Sequence, residues 1–129
     1  MVVRGEPRWA RHLPWIDGLA ALSAGCAVLA ARGWLADLYG VSSRLLATIA
    51  VINLAYSALG LALGFARRAW LLALLIAANL TWMVVCVVLA LRAPAGATAF
   101  AYAQFLGEGA FVAALALCEL RFRRAILDS

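Results

Sequence analysis

Four apolar runs, at about 14–36, 43–65, 70–91 and 98–120, take up most of the chain and are separated by short polar connections. A helix rises about 1.5 Å per residue, so about 20 apolar residues match the hydrocarbon thickness of a bilayer. The runs after the first are too long for strands, and their apolar residues do not alternate with period two. Overall 67% of the residues are hydrophobic and the mean hydropathy is +0.99, whereas a soluble domain is about half apolar. Short connections force neighbouring helices to run antiparallel. The expected fold is therefore an all-α integral membrane protein, an up-down antiparallel four-transmembrane-helix bundle forming one domain over residues 1–129.

The connections carry turn chemistry. In "YGVSSR" (39–44) a glycine stops the first helix and serines start the second. "ARR" (66–68) is a tight charged turn, and "RAPAGAT" (92–98) has the proline and glycine of a loop, with Thr98 as an N-cap. Pro14 suits a first helical turn. Gly60 and Gly64 form a GxxxG pair, and Ala21 and Gly25 a second small-residue pair. Such pairs let helix backbones approach closely, and Gly60/Gly64 offers a surface for a homodimer.

All eleven basic residues are arginine, and the net charge is +5. They flank the apolar runs and form no basic domain, so a nucleic-acid partner is not expected. Arg4, Arg8, Arg11, Arg67, Arg68, Arg121, Arg123 and Arg124 fall on one side; Arg32, Arg44 and Arg92 fall on the other. The positive-inside rule then places both termini in the cytoplasm. Trp15, Trp34, Tyr39, Trp70 and Tyr102 read as interfacial aromatic belts. The alanine-rich, arginine-only composition fits a bacterial cytoplasmic membrane. The first run is expected to be retained rather than cleaved, because Asp17 interrupts it and the leucine of "LSAGC" stands one place early for a lipoprotein box. Cys26, Cys86 and Cys118 lie in three different runs without CxxC spacing, and read as small apolar core residues.

The polar residues inside the runs are the most informative. Asn53, Asn79 and Glu108 each lie near the centre of their own span. A lone carboxylate at the bilayer centre costs on the order of 3 kcal/mol on insertion scales. Glu108 must therefore take up a proton or gather donors, and asparagine amides are natural donors. The three are expected to converge, with Gln104 one turn from Glu108 and Tyr56 on the face of Asn53. Gly107 and Gly109 flank Glu108 and read first as packing residues. Asp17 and Glu119 form a second layer near the end that carries the termini. There they read as interfacial partners of arginine, or as a cytoplasmic mouth leading to Glu108.

Other chemistries lack their residues. His12 is the one histidine and precedes the first span, so a heme held by two histidines, and a histidine base within the membrane, are excluded. There is no metal-ligand spacing, no G-x-S-x-G elbow and no glycine-rich phosphate loop. No enzyme, metal or cofactor is expected. In size and in carrying a membrane glutamate, the chain is similar to the small multidrug resistance transporters. Their glutamate lies in the first helix and Glu108 in the fourth, so no membership follows. The expected function is proton- or cation-coupled binding or transport of a small solute, centred on Glu108 and lined by Asn53, Asn79, Gln104 and Tyr56, with Asp17 and Glu119 at the inner mouth. The alternative is a non-catalytic structural or accessory subunit, in which the polar residues fix helix packing. The expected partners are the lipid bilayer and either a second copy or another membrane protein.

Overall fold

The computed structural model describes residues 5–128; Arg4 of the orientation count lies outside them. Four long helices cross the molecule: α1 (Leu13–Tyr39), α2 (Ser43–Ala66), α3 (Ala69–Leu91) and α4 (Ala99–Arg121). Each is long and apolar enough to span a membrane. A 3-10 turn (Arg8–His12) precedes α1, and a short helix, α5 (Arg123–Leu127), follows α4. The fold is the all-α four-helix membrane bundle read from the hydropathy. The end that carries the 3-10 turn, the α2–α3 turn and α5 is called the terminal face below, and the other end the loop face.

Local signals account for the helix ends. Gly40 closes α1 in the left-handed conformation (φ 67°), and its N–H reaches the Ala36 carbonyl at 2.9 Å. Only a residue without Cβ adopts this region freely. Ser42 caps α2, its hydroxyl accepting the Leu45 N–H at 3.1 Å. Thr98 precedes α4 but does not cap it with its side chain. Its hydroxyl donates to the Leu38 carbonyl at 2.8 Å and its N–H to the Tyr39 carbonyl at 2.9 Å, tying the start of α4 to the end of α1.

The helices approach most closely within two hairpins, α1–α2 and α3–α4. Small residues explain the first. A Cβ on Gly60 would lie 2.8 Å from the Gly18 nitrogen, one on Gly25 3.0 Å from the Ala50 carbonyl oxygen, and one on Gly64 2.8 Å from the Trp15 ring. Gly60 and Gly64 are thus consumed inside the chain against α1, and the surface they were expected to offer a second copy is not free. Trp15 is correspondingly a packing residue, half-buried on Gly64 and edge-on to Phe65. Trp34 and Trp70 do point outward, at 67% and 65% exposure.

Two apolar clusters fill the interior. One, nearer the loop face, includes Leu46, Ile49, Cys86, Ala101 and Phe105. The other, at the terminal face, joins Ala10, Leu13, Leu63, Leu71, Leu72, Leu75, Leu115 and Ile126. Arg67 locks that end. It sits in the left-handed region (φ 49°), and its guanidinium donates to the Arg11 carbonyl at 2.7 Å and the Ile126 carbonyl at 3.0 Å. Trp9 packs edge-on to Phe122 beside it. Cys86 is buried and Cys118 half-buried, but Cys26 is exposed and is not a core residue.

Candidate functional site

The polar residues lie between the two apolar clusters and form two groups. In the first, the Glu108 carboxyl receives three N–H donors. The Trp82 indole reaches Oε1 at 2.8 Å, the Asn53 amide reaches Oε1 at 3.3 Å, and the Gln104 amide reaches Oε2 at 3.1 Å. The Tyr39 hydroxyl donates to the Gln104 carbonyl oxygen at 3.2 Å, extending the chain of bonds to the end of α1. All four long helices thereby contribute to the setting of one carboxyl. Ionised carboxylates only accept hydrogen bonds, and three donors use most of that capacity.

The second group is separate. The Asn79 amide donates to Asp17 at 2.7 Å and to Glu119 at 3.3 Å. Asp17 is 4% exposed, Asn79 1% and Glu119 0%. The expectation that Asn53, Asn79 and Glu108 would meet therefore holds for Asn53 and fails for Asn79. The register of α3 on α4 is the reason. Gly109 rests on Cys86, where a Cβ would lie 3.1 Å from the Cys86 Cβ. Cys86 is two turns beyond Asn79 toward the loop face, about 10 Å along the axis. Helical Cα–Cβ bonds also tilt toward the N-terminus, which on α3 is the terminal face. Asn79 therefore leans away from Glu108 and toward Glu119, and Trp82, one turn nearer the loop face, takes its place.

Asp17 and Glu119 do not lie at a mouth. Both are buried, and the apolar cluster around Leu72, Leu115 and Ile126 occupies the terminal face. Their partner is an asparagine rather than an arginine. Arg121, two residues from Glu119, is exposed, and the Arg67 guanidinium is spent on backbone carbonyls.

A cavity of about 320 Å³ joins the two groups. Asp17, Asn53, Asn79, Gln104 and Glu108 all line it, together with Tyr56, Trp82, Phe111 and Val112. Tyr56 lies on its wall, but its hydroxyl donates to the Ala78 carbonyl at 2.7 Å. Small residues complete the lining: Ala20, Ala21 and Ala24 on α1, and Ala103 and Gly107 on α4. The two glycines beside Glu108 divide. Gly109 packs on α3, whereas nothing lies within 4 Å of a Cβ placed on Gly107, so it leaves room beside the carboxyl. Ala103, Gly107 and Phe111 are exposed, so the cavity is open along the side of α4 that faces Ala20, Ala21 and Ala24 of α1.

Trp82 and Tyr39 are site residues beyond those expected; helical spacing puts Trp82 on the face of Asn79 but assigns it no role. Tyr39 reads as an ordinary interfacial tyrosine and gives no other signal. Trp82 could have been found, because tryptophan concentrates at membrane interfaces and this one lies mid-span.

Compared with protein-family models, curated proteins and solved structures, the chain matches none.

Proposed function

We propose that this membrane protein binds a small solute in the cavity between α1 and α4, with binding coupled to a proton or cation at Glu108. The observation that supports it is the access of an open cavity to a carboxyl already held by three N–H donors. A polar group that serves only to fix helix packing needs no space beside it, yet Gly107 leaves that space free. Among the described residues two carboxyls and no basic side chain line the cavity. The fitting solute is therefore positively charged or exchanges with a proton, and the Trp82, Tyr56 and Phe111 rings supply faces for its apolar part. The protein acts by binding and transport rather than by catalysis. Its setting in this reading is a bacterial cytoplasmic membrane, which the alanine-rich, arginine-only composition fits, with both termini in the cytoplasm, as the arginine distribution implies. A homodimer or another membrane protein as partner would use a surface other than Gly60 and Gly64.

The competing reading is a structural or accessory subunit. It draws support from the same hydrogen bonds, because Glu108 links α2, α3 and α4. Proton release on ligand addition separates the two. Purified protein in weak buffer is titrated with small amines and quaternary ammonium ions, and with their neutral isosteres as controls. The transport reading expects proton release in wild type and none in Glu108→Gln. If no compound changes protonation, and Glu108→Gln loses only thermal stability, the accessory reading replaces it.

A further inference from the structure

One buried carboxyl lies outside the cavity lining. Glu119 is 0% exposed, and its Oε1 meets no hydrogen-bond donor among the described residues. Its other oxygen shares a single amide, that of Asn79, with Asp17. Both carboxyls converge on the one Asn79 nitrogen, at 2.7 and 3.3 Å, which places them side by side in the interior. From α3 comes Asn79, whose amide donates to both carboxyls. From α2 comes Tyr56, which lines the same cavity as Asp17 and whose hydroxyl donates to the Ala78 carbonyl. On α4 the nearest charged neighbour in sequence, Arg121, is exposed. Among the described residues no cation faces the pair, and the apolar cluster of Leu72, Leu115 and Ile126 separates it from the terminal face.

Two carboxylates brought onto one amide repel, and burial removes the water that would screen them. One amide donor serves two carboxyls here, and one oxygen is left with nothing to accept. A proton held between the carboxyls satisfies all three conditions: it removes one charge, supplies the missing donor and turns the contact into a hydrogen bond. We propose that Asp17 and Glu119 form a second proton site, distinct from Glu108, in which one proton is shared between the two carboxyls and Asn79 holds them in register.

The pair carries one negative charge in total. Asp17 lines the cavity and Glu119 does not, so the pair spans the cavity wall. When positive charge stands in the cavity beside Asp17, the proton resides on Glu119 and the negative charge on Asp17. No proton need leave the pair for this to happen. The site does not require the solute-binding reading, because the proton is shared with the cavity empty.

Infrared spectroscopy of the full-length protein in lipid nanodiscs at neutral pH tests the site without any ligand. The wild type should show a protonated-carboxyl C=O band that shifts in heavy water. Glu108→Gln should keep this band. Glu119→Gln should lose it, because Asp17 then accepts from two amides. If Glu119→Gln does not fold, Asp17→Asn serves instead, and the band should move or vanish because the proton is no longer shared. The proposal is overturned if the wild type has no such band, if Glu108→Gln alone abolishes it, or if Asp17→Asn leaves it unchanged. Sodium chloride supplies a further arm, with potassium chloride as control. Sodium-specific stabilisation of the wild type that is absent in Glu119→Gln would make this a metal-cation site and overturn the shared proton.

Discussion

The Trp82 indole N–H donates to Glu108 across 2.8 Å, joining α3 to α4 in the interior of the bundle. It is the shortest of the three bonds to that carboxyl. Replacing Trp82 with Phe keeps an aromatic ring on the cavity wall and removes the donor. Removing one partner of a buried hydrogen bond costs about 1–3 kcal/mol, so the stability read from thermal melting in detergent should fall by about that amount. Glu108→Leu should cost at least as much, because Trp82, Asn53 and Gln104 all lose their acceptor. Unchanged melting in both variants would show that these contacts do not form.

Gly60 and Gly107 should respond oppositely to the same substitution. A methyl at Gly60 would meet the Gly18 backbone at 2.8 and 2.9 Å, and backbone cannot turn aside. Gly60→Ala should therefore push α1 from α2 and cost about 1–3 kcal/mol, the usual range for overpacking. Gly107→Ala meets nothing within 4 Å and should be neutral, or stabilising by up to about 1 kcal/mol through helix propensity. Melting of the pair in one detergent checks this. Equal effects would mean that the close face of α2 is assigned wrongly.

Arg67 does two jobs at the terminal face. Its backbone closes α2 with φ 49°, and its guanidinium bonds the carbonyls of Arg11 and Ile126. Arg67→Gly relieves the left-handed strain, about 1 kcal/mol, but removes both side-chain bonds. Arg67→Ala keeps the strain and also removes the bonds, so it should be the less stable of the two. Limited proteolysis should cut near α5 faster in both variants than in wild type. If Arg67→Ala is as resistant as wild type, the guanidinium clamp is not holding the ends.

Topology can be tested without a ligand. An alkaline phosphatase fused to the C-terminus should be inactive and a green fluorescent protein in the same place bright, if both termini are cytoplasmic. The reverse pattern would overturn the orientation drawn from the arginine distribution.

Much of the architecture was legible because hydrophobic run length and turn residues are local properties. The four spans, the glycine stop at Gly40 and the serine cap at Ser42 all follow from neighbours in the chain. The i,i+4 spacing of Gln104 and Glu108 likewise put two members of the site on one face, and they bond as that spacing implies. Partner choice was not legible, because it depends on how far one helix slides along another. The contact of Gly109 with Cys86 sets that register for α3 and α4. It sends Asn79 to Asp17 and Glu119, and brings Trp82 to Glu108. The same holds for Gly60 and Gly64, whose small size is plain in the sequence while the neighbour they admit, α1, is not. Which side chains can enter a membrane is decided residue by residue, from the free energy of transfer into lipid. Which of them meet is decided by interhelical packing, and that exists only once the bundle has closed.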